Sequence, residues 1–301
     1  MVNKTVPAPT TAADSEPGPV ALQPRDVHFD WTGLTLRWIK DEPVASHTLS
    51  VLHLLLPEGE NWFVEVFKRA LPLIDDDTLR EDVLGFIGQE AIHSASHQSV
   101  LDYYAAQGVD TSAYIRQVRW LFDRILGERP GRSKTASREQ LIEHVSVVAA
   151  IEHYTAAMGG WVLDTTALDS VDAHPVMLDL LRWHGAEEVE HRSVAYDVLQ
   201  YFDPSYTRRV RGLLLVGPVL LWMWIRGARF FAAADHDDPP ARITWGGLYS
   251  AARRNLLPSG IMLGRTALQY FRRDFHPSQY LSTQKCVAYL ATSPAARAAA
   301  R

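Results

Sequence analysis

Apolar residues recur with a helical period from about residue 44 to residue 290, and no stretch keeps the strict alternation of a half-buried strand. Turn signals divide this pattern into helices expected at roughly 44–73 with a break at Pro57 and Gly59, then 78–107, 111–127, 137–165, 175–201 and 206–234, followed by 244–273 with a break at Pro258, and 280–291. The expected fold class is all-α. The loop Glu128–Lys134 separates two helical hairpins, and the segment 111–127 is long enough to cross a bundle between its second and third helices. Residues 1–24 are rich in Pro, Ala, Thr and Ser and lack the apolar core of a secretory signal, which predicts a disordered lead-in. A single helical domain is expected over 25–293, with a four-helix bundle at about 44–202 and additional C-terminal helices at about 205–291. The Ala/Arg-rich end, 294–301, predicts a flexible tail.

Acidic residues interrupt the apolar stripes in an ordered way. Glu60 precedes the pair Glu90 and His93 by 30 residues, and Glu152 precedes Glu188 and His191 by 36. Each interval is about the length of two antiparallel helices and a turn. The order E, E-x-x-H, E, E-x-x-H is what a ferritin-like bundle holding two metal ions requires: one glutamate from each of two helices and a Glu/His pair from each of the others. Positions i and i+3 share a helix face, so a carboxylate and an imidazole reach one ion from one side. A single E-x-x-H is common among solvated helix faces. Two in register, with two glutamates embedded in apolar stripes, are not, because buried glutamates destabilise a fold unless cations compensate them.

Neighbouring residues extend the pattern. His97 falls with Glu90 and His93 inside an arc of about 60°, and His184 shares the face of Glu188 and His191. Each is read either as an additional ligand or as a hydrogen-bonded neighbour of the ligand carboxylates. Gln89 and Glu187 each stand one residue before a ligand glutamate, at matching places in the two halves, and are candidates to reach across to the opposite histidine. Glu190 points elsewhere, which predicts a surface salt bridge. His53, His144, His153 and His174 read as ordinary surface or neighbouring histidines. Thr155 is a candidate donor to bound dioxygen, with packing the competing role; Tyr154 and Tyr196 fit packing better than proton or electron transfer.

Composition narrows the function. At 301 residues and 47% hydrophobic content the chain can bury a large core. A net charge of −5 argues against nucleic-acid binding. The single cysteine, Cys286, excludes an internal disulfide framework and a cluster held by the chain's own thiolates, and suits a cytoplasmic protein. The run Gly212–Ile225 is apolar, but at 14 residues with Pro218 inside it is short for a membrane span, so a buried, kinked helix is expected, with a membrane-surface or partner-facing helix as the alternative. Arg253, Arg254, Arg265, Arg272 and Arg273 read as a solvated face, with a phosphate-bearing carrier such as coenzyme A as the alternative ligand.

The stretches PEGENWF (57–63), GFIGQEAIHSASH (85–97), IEHYTA (151–156) and WHGAEEVEHRSVAYDV (183–198) resemble the signature blocks of a bacterial family labelled predicted metal-dependent hydrolases, within the ferritin-like superfamily. The resemblance covers roughly residues 40–290. It implies that Glu60, Glu90, His93, Glu152, Glu188, His191 and His184 are metal ligands. Some members are non-haem di-iron monooxygenases of bacterial natural-product pathways, acting on diterpenoid thioesters among others. The H-x-x-x-E-x-x-H arrangement at His184, Glu188 and His191 is also similar to that of di-iron N-oxygenases acting on arylamines.

Mixed carboxylate and imidazole ligation suits two iron ions, with manganese or zinc as alternatives. The leading expectation is a monooxygenase that uses dioxygen to hydroxylate a C–H bond of a small hydrophobic substrate, a terpenoid or coenzyme A thioester. No motif here gathers electrons, so a ferredoxin with its reductase, or a flavin system, is the expected donor, and a homodimer is the expected assembly. Trp222, Trp224, Phe230 and Phe231 are candidates for a substrate pocket, against core packing. The alternatives are two-metal hydrolysis, for which loop-borne Asp and His would be more usual, and iron binding without an organic substrate.

Overall fold

The computed structural model describes residues 20–127 and 133–301. Among these the fold is all-α: twelve α-helices and short 3-10 or π turns, with one isolated β-bridge between Ile39 and Ala173 and no strand. Helices α1 (Pro43–Leu49) and α2 (Val51–Ala70) are followed by α3 (Asp77–Ala106) and α4 (Ser112–Trp120), then by α5 (Lys134–Asp164) and α6 (Pro175–His191). The C-terminal part comprises α7 (Val194–Phe202), α8 (Tyr206–Ala234), α9 (Trp245–Arg253), α10 (Gly260–Tyr270), α11 (Thr283–Leu290) and α12 (Pro294–Ala299).

The helix starts follow local chemistry. Asp76 caps α3 by accepting from the Leu79 N–H, Ser133 caps α5 through Ala136, and Pro175 opens α6, where its missing N–H costs nothing. The first helical stretch breaks at Ser50 rather than at Pro57. Ser50 accepts a hydrogen bond from the Trp38 indole, while Pro57 continues α2 and its carbonyl accepts from the Ser94 hydroxyl of α3. A turn at Arg192 and Ser193 likewise divides the expected helix 175–201 into α6 and α7.

Four helices close a ring: α2 packs on α3 and α5, and α6 packs on α3 and α5. Phe67 meets Phe86 while Pro57 meets Ser94, so α2 and α3 run antiparallel. The second hairpin is also antiparallel, with Gly159 against Gly185 and Glu152 beside His191. Two apolar clusters fill the ring. One is built around Phe63, Phe67, Phe86, Val145 and Val198, and the other around Leu54, Val100, Tyr104, Leu180 and Trp183.

The chain ends depart from expectation. Of the lead-in 1–24, residues 1–19 lie outside the described residues, but Leu22 and Pro24 lie directly on Gly85 and Gly88 of α3, where any larger residue would collide with them. The segment 294–301 is no loose tail: α12 buries Ala295 and Ala296, and Asp179 of α6 accepts from the Ala295 N–H and the Ser293 hydroxyl.

The run Gly212–Ile225 also differs. It belongs to a continuous 29-residue helix, α8, which among the described residues is the one helix long and apolar enough to cross a membrane. It is not buried all round. Leu213, Val216, Met223 and Phe231 face the bundle, whereas Leu214, Leu215, Leu221 and Trp222 each keep more than half of their surface in solvent. Trp222 therefore lines no internal pocket, and Phe231 and Trp224 serve packing, the latter donating its indole N–H to the Thr48 carbonyl. In the basic group, Arg254 pairs with Glu42 and Arg272 with Asp274, as ordinary surface ion pairs.

Candidate metal centre

The four bundle helices bring Glu60, Glu90, His93, Glu152, His184, Glu188 and His191 to one place. Glu60, His93, His184 and Glu188 offer donor atoms within 4.8 Å of one another, and so do Glu90, Glu152, Glu188 and His191. Glu188 belongs to both groups. Its Oε1 lies 2.8 Å from His184 Nε2, 3.6 Å from His93 Nδ1 and 3.7 Å from His191 Nε2. His191 Nε2 lies 3.2 Å from both Glu90 Oε1 and Glu152 Oε2. All seven side chains are buried. Phe86 packs its edge against His191 and Trp183 against His93, at centroid distances of 4.9 and 5.2 Å.

The donor set fits divalent cations. Both carboxylate oxygens of Glu60, Glu90 and Glu152, Oε2 of Glu188, Nδ1 of His93 and Nε2 of His191 are buried without a hydrogen-bond partner. Buried acceptors seldom go unmatched, and these converge on two points. Each histidine also keeps its other nitrogen occupied. His93 Nε2–H donates to Glu187 Oε2 at 2.9 Å, so Nδ1 faces the cluster; His191 Nδ1–H donates to Gln89 Oε1 at 3.1 Å, so Nε2 does. Gln89 and Glu187 thus each reach across to the histidine of the opposite hairpin. A partner of this kind fixes the tautomer of a ligating imidazole and raises its basicity.

Beyond these contacts lies a network for which single residues give no signal. Arg25, at the end of the Pro-rich lead-in, donates to Glu187 Oε1 at 2.6 Å and to both oxygens of Glu190, while Gln89 Nε2 donates to Glu190 Oε2 at 3.0 Å. Glu190 is therefore ion-paired, but inside the protein rather than at its surface. His97 lies outside both donor groups. Its Nε2 is 2.9 Å from His184 Nδ1 and its Nδ1 is 2.8 Å from His53 Nδ1, so three buried imidazoles run in file from α6 through α3 to α2. His53 is no surface residue. His144 and His153 are also buried, the latter bonded through Nε2 to the Thr266 carbonyl at 2.7 Å, and His174 is half-buried. Thr155 gives its hydroxyl hydrogen to the Glu152 carbonyl of its own helix, a backbone bond and not a contact with the centre. Tyr196 donates to the Phe275 carbonyl and serves packing.

Residues 23–280 match the family described as predicted metal-dependent hydrolase. The chain belongs to this family. No curated protein and no solved structure matches it. Membership of a metal-dependent family and the converging donors agree that this family member is a metal-binding enzyme.

Without metal, the cluster holds protons tightly. Burial, reinforced by the neighbouring carboxylates, keeps Glu60 and Glu90 well above the usual carboxyl range and pushes Glu152 up to about 7. Burial also opposes ionisation of Glu188, but the imidazoles of His191 and His184 outweigh it and hold that carboxyl low. Burial would lower His191, yet Glu188 and Glu152 raise it well above its ordinary value. A group that binds its proton more tightly folded than unfolded contributes stability that is lost as pH rises through its folded pKa. Burial drives His53 down to about 3, and His144 and His153 to about 4, which works the other way, but only below about 6.5, where unfolded histidine titrates. Above pH 7 the carboxyl groups and His191 decide. The metal-free chain is expected to lose about 1.4 kcal/mol per pH unit for each retained proton between pH 7 and 9. Metal, which takes only the deprotonated donors, should remove that slope. Urea midpoints at the two pH values, with and without metal, measure it; a metal-free midpoint that does not move contradicts the assignment.

Proposed function

We propose that this protein is a binuclear iron oxygenase that hydroxylates a C–H bond of a hydrophobic substrate, a terpenoid or coenzyme A thioester. The observation that carries the reading is the composition of the two donor groups: four glutamates and three histidines, all on bundle helices, sharing Glu188, with no Asp or Cys among them. Such ligands suit iron. Two iron ions bound there would supply dioxygen activation, one oxygen atom entering the substrate and the other leaving as water, with two protons from solvent and two electrons from a ferredoxin and reductase or a flavin system.

The chain's own residues do the rest. Glu187 and Gln89 hold the imidazoles of His93 and His191 in one tautomer and orientation. Phe86 and Trp183 cover the two histidines and keep water off them. His97, bonded to His184 Nδ1, turns His184 Nε2 toward Glu188 and Glu60. A second reading, two-metal hydrolysis, is favoured by the description of the family.

Labelled oxygen separates the readings. The iron-loaded chain, supplied with an electron donor and candidate terpenoid, acyl-thioester and arylamine substrates under labelled dioxygen, is expected to give a product that carries the label. A native zinc content with a cleaved product that takes no label from dioxygen, and takes it instead when the water is labelled, would establish hydrolysis. Oxygen consumption with no organic product would reduce the protein to an iron-binding bundle.

A further inference from the structure

Among the described residues the outer face of α8 has no occupant, although its inner face is firmly seated. Gly212 lies against Ser146 of α5 and Gly227 against Val51 of α2, so closely that an added Cβ at either would fall under 3 Å from them. The helix is thereby laid along the bundle and cannot stand away from it. On the outside, Leu214, Leu215, Val219, Leu221 and Trp222 occupy an arc of about 160°, all exposed. The exposed Trp120 of α4 continues this surface across a groove of about 600 Å³ lined also by Val219, Trp222 and Arg226.

Net positive charge is left at one end of this surface. Over its 29 residues α8 carries five arginines and no Asp or Glu, in a chain whose net charge is −5; Arg209 is buried, and Arg208 and Arg211 are paired with Glu139, Glu143 and Asp203, which leaves Arg226 and Arg229. Arg226 lies over the ring of Trp222 at 4.9 Å, and neither it nor Arg229 has a carboxylate within ion-pair distance among the described residues. Arginine stems cover apolar surface while their charged ends reach outward. A helix lying flat, with Trp and Leu on its exposed face and unpaired arginines beside them, has the make-up of one that rests in the headgroup region of an anionic bilayer.

We propose that the outer face of α8, together with Trp120, seats this protein on an anionic membrane surface without crossing it. A second copy of the chain suits the face less well. A two-fold contact would set the same helix against itself and bury Arg226 and Arg229, while the carboxylates beside α8, Glu139, Glu143 and Asp203, are already paired with Arg208 and Arg211.

Flotation of the full chain with vesicles tests this. Binding is expected to vesicles of equal parts phosphatidylglycerol and phosphatidylcholine, to weaken with salt, and to be much lower with phosphatidylcholine alone. Replacing both Arg226 and Arg229 by alanine should lower the partition coefficient roughly 30-fold, at about 1 kcal/mol per arginine near such a surface. Leu215→Glu combined with Trp222→Glu should abolish binding while leaving metal content and thermal midpoint unchanged. Failure to float with either vesicle overturns the proposal. So does equal binding to both vesicles with no effect of the arginine changes, or a dimer in sedimentation that Leu215→Glu dissociates, which assigns the face to a second copy.

Discussion

Glu188→Ala is expected to strip metal from both halves of the centre, whereas Glu60→Ala or Glu152→Ala should cost one half only. The difference follows from membership: Glu188 belongs to both donor groups, Glu60 only to that of His93 and His184, and Glu152 only to that of His191. Glu188 is also the one carboxyl of the four that its imidazole neighbours hold ionised against burial, so its loss leaves His191 without the charge that chiefly compensates it. Metal content per chain, measured after loading and dialysis, should fall close to zero for Glu188→Ala and to about half the wild-type value for the other two. A graded control is available. Gln89→Ala removes no donor to the metal, only the partner of His191 and the amide's bond to Glu190, and should weaken metal binding by 10- to 100-fold at the His191 side, the usual cost of losing such a partner. Full loading of Glu188→Ala would show that the two groups are not joined through this residue, and the binuclear reading would go with it.

How much of this could be read from the chain depends on whether a feature is local. The helices that carry the two donor groups were readable because Glu90 with His93, and Glu188 with His191, repeat a three-residue spacing that only a helix turns into a shared face. Gln89 and Glu187 could be placed by the same logic, one residue before each glutamate. The file of His53, His97 and His184 was not readable in that way, because it depends on how α2, α3 and α6 cross. Arg25 was hidden for a similar reason: nothing in a Pro-rich stretch says that it will lie along α3 and reach Glu187 and Glu190. For α8 the fault lay in the inference itself. An apolar run predicts that a helix seeks cover, but not how much of its circumference the neighbours can supply, and here they cover one side. The anchoring of α12 by Asp179 is likewise a long-range contact without a local signature.

The distance between α5 and α6 near the centre is set by two glycines, which makes Gly159→Ala a damaging small change that alters none of the donor residues. A Cβ at Gly159 would stand 2.4 Å from the Gly185 carbonyl oxygen and 2.9 Å from its Cα; one at Gly185 would stand 2.8 Å from the Gly159 Cα. Both obstacles are backbone, so no rotamer relieves them and the helices must part. Gly159 lies two turns after Glu152, and Gly185 immediately follows His184, one turn before Glu188, so a wider crossing shifts ligands of both hairpins at once. Overpacking of this kind costs about 1–3 kcal/mol, and the gain of up to about 1 kcal/mol from alanine's helix preference only partly offsets it. Gly160→Ala is the control: its Cβ meets chiefly the Cδ2 end of Leu281, a side chain that can turn away. Thermal unfolding should place Gly159→Ala several degrees below wild type and Gly160→Ala close to it. Metal should leave the first variant faster, because widening the crossing separates Glu152 from the Glu188 and His191 donors that complete its group. Equal midpoints and equal metal release for the two variants would mean that the close crossing does not hold the centre together.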